Sequence, residues 1–355
     1  MTSRSQCGRA ATSALLAVAL LAALLLVTGP AARAADRPEK ITIGYLNLVN
    51  AQLVAKNLKL HEQELKIPVQ WLKFGGGGDV NRAVAAHQLD FGGVGNPPAT
   101  IGVTRGLSYE GILVLNMLGR VEALSVRTSK NIESLKDLKG KVVGVPFGTT
   151  THYLLLTSLR QEGIDPNTVK ILDLTPSDAA VAWIRGDIDA AWIWEPNLDK
   201  TVKAGGRILL DSGTMAARGY PTWDIAVVMK DFAAKYPDVV AKFVKSECAA
   251  IDFWLKNPDR TAKIIADELS LPFEDAERMM KGTRMVPCAE QITAEYMGAS
   301  GQPQSKFVDT LVSTASFLVE QKRLPELKPR EVFAGFINPR YLETLVGAGK
   351  GRSVR

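Results

Sequence analysis

Histidine, cysteine and long apolar segments are scarce in this chain, and each scarcity excludes a class of function. Among 355 residues there are only three histidines, His61, His87 and His152, and no two of them have the spacing of metal ligands. No nucleophile elbow or other catalytic signature is present. We therefore expect no metal, no cofactor and no enzymatic activity. An enzyme acting on a small anion is the alternative, disfavoured by the missing acid–base pair.

One apolar run stands out, at residues 14–27, and its fourteen residues fall short of the about 20 that a membrane-spanning helix needs. Two arginines precede it, and a small-residue motif ending in Ala34 follows it. That order is typical of a secretory signal peptide, predicted as residues 1–34 with cleavage after Ala34. Because Cys7 lies ahead of the run, we expect no lipid anchor and a protein exported to the periplasm.

The chain also has little excess charge of either sign once the signal peptide is removed. The formal net charge is +6, and taking away the three signal-peptide arginines leaves +3. Three basic residues near the C-terminus account for that remainder, so the body is close to neutral. This balance argues against nucleic acid or an anionic membrane as a partner.

Two cysteines remain in the predicted mature chain, Cys248 and Cys288. An oxidising compartment would allow them to form a disulfide. The sequence cannot place their Cα atoms within bonding reach, so it leaves the pairing open.

The chain does contain an internal repeat. The sequence around Gly44 recurs around Gly144, 100 positions later, and residues 79–90 match residues 178–189 at an offset of 99. Each copy then runs through a short apolar strand into a polar residue and a proline, Asn96-Pro97 in the first and Glu195-Pro196 in the second. Paired acidic or amide residues before those strands, Asp187 and Asp189 in one copy, indicate a fixed turn from helix to strand. A repeated order of this kind predicts two similar α/β lobes facing each other.

Apolar runs and amphipathic stretches alternate along each copy. The predicted strands are 41–46, 69–74, 91–95, 112–118, 122–127, 142–145, 169–172, 190–194 and 222–229. We predict helices at 51–65, after a cap at Asp79, at 152–162 and around Asp178, and a mainly helical pattern from Asp231 onward. This alternation predicts an α/β fold with parallel-rich sheets and helices on their faces.

The same order predicts how the lobes divide the chain. Two crossover strands, near residues 121–127 and 224–229, would join them and act as a hinge. The predicted lobe 1 is discontinuous, with residues 35–122 and 228–340; lobe 2 is residues 123–227, and residues 341–355 form a basic flexible tail.

Two loops at predicted strand ends favour an anion. The glycine run 75–78 precedes a helix, and Gly148-Thr149-Thr150-Thr151 precedes another and adds hydroxyl donors. Free amides at helix N-termini favour negative charge. Alternatively, the glycines form a flexible turn and the threonines cap a helix. Neither loop has the Lys and Ser/Thr of a nucleotide phosphate loop.

Two carboxylates next to tryptophans favour a cation, in Trp194-Glu195-Pro196 and Trp223-Asp224. A carboxylate supplies charge and an indole face supplies quadrupole attraction. Alternatively, the tryptophans are core residues, as expected for Trp192 and less so for Trp194. His152, at a predicted helix start, is interpreted as a hydrogen-bonding side chain and not as a base.

From about residue 41 to residue 336 the chain resembles the periplasmic solute-binding proteins of ABC importers for nitrate, sulfonates and taurine. The shared motifs lie at residues 71–74, 122–124, 145–147, 150–153, 182–189, 211–212 and 221–224. Thr150-Thr-His-Tyr153 and Pro221-Thr-Trp-Asp224 are typical of the taurine-binding branch, and Trp194-Glu-Pro196 is common to the wider family.

The resemblance implies a type II periplasmic-binding fold that captures a solute without chemistry and delivers it to an inner-membrane permease driven by an ATPase. It implies a monomer that binds taurine or a related sulfonate. Asp224 would receive the ammonium and Trp194 would pack on the ligand, while Thr150, Thr151 and Asn96 would hold the sulfonate. The remaining candidate ligand-binding residues are Gly76, Thr149, His152, Glu195 and Trp223.

The chain also departs from the pattern it resembles: the family tends to have serines at Gly76 and at Asn96-Pro97, and the taurine-binding branch has a small residue where this chain has Glu195. An added carboxylate in the cleft would strengthen an ammonium site or repel an anion. Alternative ligands are therefore an alkanesulfonate, nitrate, bicarbonate, a thiamine precursor or an amino-cation, although nitrate needs no carboxylate. A sensor reporting to a receptor is a further alternative.

Overall fold

A computed structural model describes residues 37–301 and 304–350, with side chains described as far as residue 347. The predicted signal peptide, residues 1–34, lies outside the described residues. From Pro38 onward the chain forms one compact unit.

Eleven strands and sixteen α-helices make up the described part of the chain. In chain order the strands are β1 (Ile41–Leu46), β2 (Val69–Phe74), β3 (Phe91–Gly95), β4 (Tyr109–Leu118), β5 (Glu122–Arg127), β6 (Val142–Val145), β7 (Lys170–Asp173), β8 (Ala190–Trp194), β9 (Gly206–Asp211), β10 (Trp223–Met229) and β11 (Thr283–Arg284). The helices are α1 (Ala51–Asn57), α2 (Leu60–Leu65), α3 (Gly77–Ala85), α4 (Asn96–Thr104), α5 (Thr150–Gln161), α6 (Pro176–Arg185), α7 (Asn197–Lys203), α8 (Ser212–Ala217), α9 (Lys230–Lys235), α10 (Pro237–Lys256), α11 (Pro258–Leu269), α12 (Phe273–Met280), α13 (Cys288–Gln291), α14 (Lys306–Glu320), α15 (Arg330–Ala334) and α16 (Arg340–Lys350).

The strands form two sheets, which confirms the predicted α/β class. Sheet A has the order β11-β4-β10-β3-β1-β2, and sheet B has the order β7-β6-β8-β5-β9. Within each, three parallel strands come from one copy of the sequence repeat. Strands β3 and β8 are buried along their whole length because helices cover both faces of a parallel sheet.

In each sheet an antiparallel strand pairs with the third parallel strand of the repeat copy. Strand β10 pairs with β3 in sheet A, and β5 pairs with β8 in sheet B. The registers place Asp224 opposite Gly95, the last residue of β3, and Glu122 opposite Trp194, the last residue of β8. The two carboxyl residues therefore occupy equivalent positions in the two sheets.

The aspartates that precede β3 and β8 fix the repeated turn, as interpreted from the sequence. The Asp90 carboxylate accepts a 2.7 Å hydrogen bond from the backbone N–H of Thr42 in β1. The Asp189 carboxylate accepts a 3.0 Å bond from the N–H of Val142 in β6. Each aspartate thus ties the turn before the third strand to the start of the central strand.

Two local predictions were wrong. The helix predicted at 51–65 is two helices, because the chain turns at Lys59, whose φ of 52° is incompatible with a continuing α-helix. Asp79 is not a helix cap: α3 begins at Gly77 with Gly76 as its N-cap, which places Asp79 in the first turn. A carboxylate there still stabilises the positive end of the helix dipole.

The predicted boundaries also shift. A lobe boundary at residue 228 falls inside β10, which pairs with β4 from Trp223 to Met229 and so belongs to sheet A throughout. The chain passes from sheet A to sheet B at residues 119–121 and returns through residues 212–222, which include α8. The predicted flexible tail is helical over residues 341–350, because α16 runs through them. Its last five residues lie outside the described part.

The C-terminal helices tie the sheets into one body. Helix α14 carries Phe317, whose ring packs edge-on against Tyr153 of α5 at a centroid distance of 5.3 Å.

Cys248 in α10 and Cys288 in α13 form a disulfide with a Cα–Cα distance of 5.9 Å, inside the usual range. The pairing that the sequence left open is therefore present.

Candidate functional site

A small cavity lies where the carboxyl ends of the parallel strands of both sheets meet, as expected for a ligand site in α/β folds. Its lining residues are Leu46, Leu48, Gly77, Gly95, Pro98, Glu122, Thr149, Thr150, Trp194 and Asp224. Its volume of ≈ 10 Å³ is about what a single water molecule occupies. The two sheets are closed upon each other here.

Glycines make that closure possible. A Cβ atom added at Gly95 would lie 2.7 Å from Thr150 Cγ2, and one added at Gly76 would lie 3.4 Å from Thr149 Cγ2. The first of these distances is a clash. Gly95 therefore allows the end of β3 to approach the start of α5 across the cleft.

Two buried carboxyl groups face this cavity. Asp224 Oδ2 accepts a 3.0 Å hydrogen bond from Asn116 Nδ2, and Asn50 Nδ2 donates in turn to Asn116 Oδ1 over 3.4 Å. Glu122 accepts from two hydroxyls, Thr150 Oγ1 at 2.6 Å and Ser212 Oγ at 3.1 Å. Neutral donors hold both groups, with no cation among these partners.

Burial without a cation raises both pKa values. Burial is the larger cause at Glu122 and the charge of Asp224 adds to it, so the Glu122 pKa is raised to about 8 despite the hydroxyl donors. Burial likewise raises the pKa of Asp224 to about 7, although the Asn116 amide works against it. Near neutral pH the pair holds protons that an approaching cation would displace.

Helix N-termini at the same cavity favour an anion, whereas the carboxyl pair favours a cation. The cavity lining includes Gly77 in the first turn of α3, Gly95 as the N-cap of α4, and Thr149 and Thr150 at the start of α5. The first amides of a helix have no acceptor within it and attract anions. Helix α4 contributes less, because Pro97 and Pro98 in its first turn lack an N–H. An anion would therefore be held mainly by α3 and α5.

The structure brings four of the predicted site residues together at the cavity: Thr149, Thr150, Trp194 and Asp224. Trp194 is buried at the end of β8, opposite Glu122 in the strand register, and lines the cavity together with Glu122 and Asp224. Gly76 caps the neighbouring helix α3, next to the lining residue Gly77.

Thr151 and Asn96 do not line the cavity but directly follow residues that do, Thr150 and Gly95. Thr151 is buried, and its hydroxyl lies 2.9 Å from the hydroxyl of Thr149. Asn96 Oδ1 accepts a 3.2 Å bond from the backbone N–H of Trp223, while its Nδ2 is buried and without a hydrogen-bond partner in the described structure. Trp223 is a core residue, stacked on Phe307 at 4.1 Å.

Two further candidate residues, Glu195 and His152, line other cavities. Glu195 Oε2 accepts a 2.9 Å bond from the N–H of Asp199 at the start of α7, and it lines a separate cavity of ≈ 420 Å³. A free amide at the helix N-terminus draws the carboxylate away from the cleft. His152 stacks on Phe147 at 4.5 Å and lines a third cavity.

Sequence reasoning missed Glu122 and its partners as site residues. The signal that could have found Glu122 is an acid beginning an otherwise apolar strand, Glu122-Ala-Leu, since such a residue is buried only when it has partners. Asn116 and Ser212 carry no comparable signal. Their roles follow from the pairing of β4 with β10 and of β9 with β5.

Metal and membrane features are not found in the part of the chain that the structure describes. No group of three or more His, Cys, Asp or Glu within residues 37–301 and 304–350 could hold a metal ion. Over the same residues, no helix combines the length and apolar character needed to span a bilayer.

Known proteins resemble this chain in sequence and in fold. The family model described as "NMT1/THI5 like" matches residues 60–261. The "Taurine-binding periplasmic protein" of Escherichia coli is 36% identical over 314 residues, covering 86% of this chain and 92% of the relative. A "Putative aliphatic sulfonates-binding protein" of Bacillus subtilis is 30% identical over 292 residues, covering 79% of this chain and 86% of the relative.

Among solved structures, the alkanesulfonate-binding protein SsuA from Xanthomonas axonopodis pv. citri, bound to MOPS, matches with a TM-score of 0.69. The match covers 82% of this chain and 96% of that one at 22% identity, which supports the fold alone. The type II periplasmic-binding fold expected from the motifs is thereby confirmed. With more than half of its length matched by the family model, the chain belongs to the NMT1/THI5-like family.

Proposed function

We propose that this protein is the periplasmic substrate-binding component of an ABC import system, and that it captures taurine or a related amino-sulfonate between its two sheets. The observation that carries the proposal is one cavity in which helix N-termini and a buried carboxyl pair lie side by side. Taurine joins a sulfonate and an ammonium through two carbons and so matches both halves. The protein would act as a monomer and deliver its ligand to an inner-membrane permease.

The carboxyl pair supports a ligand with a cationic group. Asp224 and Glu122 are buried with neutral donors, and it is this burial, with no positive charge to offset it, that raises their pKa values. An ammonium would ionise the pair and supply that charge. Trp194, which lines the same cavity, offers a ring face to the same cation. Nitrate, bicarbonate and simple alkanesulfonates lack such a group.

The helix starts support an anionic group on the same ligand. Thr150 donates its hydroxyl to Glu122, so the backbone amides at the starts of α5 and α3 are the main sulfonate donors in this proposal. Amides held by a helix do not have to reorganise when the anion arrives. The hydroxyls of Thr149 and Thr150 shape the seat.

Capture requires the sheets to separate and close again. A cavity of ≈ 10 Å³ cannot admit taurine from solution. The two connections at residues 119–121 and 212–222 would bend as a hinge, and the ligand would stabilise the closed arrangement by bridging the helix starts to the carboxyl pair. Binding without catalysis agrees with the relatives described above, which are named as binding proteins.

A calorimetric panel tests the proposal by splitting the ligand into its charged halves. Taurine, ethanesulfonate, ethylamine and nitrate would be titrated into the mature protein under one set of conditions. We expect taurine to bind at least tenfold more tightly than either half, because each half leaves one seat unpaired. Equal affinity for taurine and ethanesulfonate would remove the ammonium from the proposal, and no response to any sulfonate would refute it.

A further inference from the structure

A second and much larger cavity opens at the same seam between the sheets. Its volume is ≈ 490 Å³, within the range of pockets for small organic ligands. Three parts of the chain line it. The first copy of the repeat contributes α3, α4 and the turn after α4, the second copy contributes the segment from Phe147 to His152 and the end of β7, and the third part is the end of α14 with Arg323. It shares only Pro98 with the lining of the small cavity.

Positive charge dominates the walls of this cavity. Arg82, Arg105 and Arg323 line it, against one lining carboxylate, Asp173. Asp173 Oδ1 accepts a 2.9 Å bond from the N–H of Phe147, and Arg82 is ion-paired to Asp79 just outside the lining. With both acids counted, the cavity keeps a net positive charge, so an anion is the favoured occupant.

An aromatic stack forms one wall. The Phe147 ring lies 4.5 Å from the His152 ring at an interplanar angle of 15°, and the Arg323 guanidinium lies 5.6 Å from the Phe147 centroid. Ile101, Leu107 and Leu318 add apolar surface to the lining. These walls suit the flat or branched apolar body of an organic ligand.

His152 contributes a buried and unused donor to the same wall. Its Nδ1 accepts a 3.2 Å bond from the N–H of Gly148, so in the neutral ring the proton is on Nε2. Burial and, after it, the charge of Arg323 lower the His152 pKa to about 4, which keeps the ring neutral at physiological pH. Nε2 has no hydrogen-bond partner in the described structure, and such a buried donor is costly to leave unpaired.

We propose that this cavity is a second binding site, for an organic anion with an aromatic or branched apolar body. The acidic group would lie among Arg82, Arg105 and Arg323, and the body would pack on Phe147 and the neighbouring aliphatic side chains. A small readjustment of the Phe147 and His152 rings would let Nε2–H donate to the ligand. The site differs in its lining from the taurine cavity, because neither the carboxyl pair nor Trp194 lines it.

The test titrates 4-toluenesulfonate into four forms of the full mature protein by calorimetry. These are the unaltered protein, Arg105→Gln/Arg323→Gln, Trp194→Ala and Arg218→Gln, the last being an exposed arginine outside both cavities. We expect the dissociation constant to rise about tenfold or more in the double variant and to change less than about twofold in the other two. Titrations with 4-toluate and with the neutral 4-toluenesulfonamide separate sulfonate from carboxylate recognition and measure the need for charge.

Three outcomes would overturn the proposal. Binding lost in Trp194→Ala and kept in the double variant would place the ligand in the taurine cavity. Equal binding of the neutral sulfonamide would remove the anion. Absence of binding to the unaltered protein at millimolar ligand would leave the cavity as solvated surface. None of these results depends on whether the protein binds taurine, so the two proposals fail separately.

Discussion

The two copies of the repeat share their architecture and contribute different chemistry to the cleft. The first copy lines the small cavity with Leu46, Leu48, Gly77, Gly95 and Pro98, which carry no polar side-chain group. The second copy contributes two threonines and a tryptophan. The first wall therefore offers backbone and shape, whereas the second offers side-chain contacts.

The two copies differ most clearly in the polar residue that precedes a proline after the third strand of each copy. Asn96 turns to the backbone of Trp223, and Glu195 turns to the N–H of Asp199 at the start of α7. Glu195 lines another cavity, whereas Asn96 keeps a buried Nδ2 that has no hydrogen-bond partner in the described structure. Local hydrogen bonds of this kind compete with ligand contacts at the side-chain atoms that make them.

The carboxyl groups that do face the cleft come from the strands that follow each crossing. Glu122 begins β5, and Asp224 lies at the start of β10, at equivalent places beside β8 and β3. Their partners differ: Asp224 has an amide donor, and Glu122 has two hydroxyl donors, one of them from Thr150 at the start of α5. Equivalent positions thus hold two acids of unequal environment, and we expect unequal roles.

Replacing Asp224 should have the largest effect. Asp224→Asn removes the charge that would meet the ammonium, and loss of a buried charge partner costs about 2–5 kcal/mol. We expect taurine affinity to fall about hundredfold in calorimetry, with ethanesulfonate affinity little changed or improved. Glu195→Gln is the matched control, a buried carboxylate outside the cavity, and should change taurine affinity less than about twofold. Similar losses in both variants would mean that the cavity lining does not identify the ligand contacts.

Changing the pH should have the next largest effect on ligand affinity, and the direction of the change depends on the ligand. Because Asp224 and Glu122 have pKa values raised to about 7 and about 8, ammonium binding displaces protons from the pair. Taurine affinity should rise from pH 6 to 8.5 by as much as about tenfold per unit for each proton released. Ethanesulfonate affinity should fall over the same range, because the ionised pair repels it. Identical profiles for the two ligands would contradict the ammonium assignment.

The same shifts determine how the stability of the ligand-free protein changes with pH. Both folded pKa values lie above the unfolded values, so the folded state keeps protons that the unfolded chain has lost. The stabilising contribution is therefore complete below about pH 4 and lost as the pH rises through 7 to 8. Thermal unfolding of Asp224→Asn/Glu122→Gln should show a flatter profile.

Glu122→Gln should have the smallest effect on taurine affinity. The amide resembles the protonated acid, and the side-chain oxygen can still accept from Thr150, so we expect about a fivefold loss of taurine affinity. The pH profile should then follow Asp224 alone, with its midpoint near 7. A loss as large as that of Asp224→Asn would show that the pair acts symmetrically and would abolish the difference drawn between them.

Much of the fold was predictable because its signals are local. Strands at Ile41–Leu46, Val69–Phe74 and Ala190–Trp194 have the predicted bounds, since each is a short apolar run between turn residues. The break at Lys59 was not predictable, because the amphipathic pattern continues through it. Thr149, Thr150, Trp194 and Asp224, which line the small cavity, were predicted from their place at strand ends and helix starts; the same rule also selected Glu195 and Trp223, which do not line it.

The sequence by itself determined that there are two copies of one α/β unit and that their strand ends carry the polar and aromatic residues. Periodicity and turn residues encode these features within a few positions of one another. Only the tertiary structure decided which of those side chains face the cleft. Asn96 Oδ1 and Glu195 Oε2 accept from backbone donors at β10 and α7. Glu122 and Asp224 line one cavity only because two antiparallel strands, 102 positions apart at these residues, take equivalent places in the two sheets. Contacts between segments so distant depend on sheet pairing and packing, which leave no local pattern in the sequence.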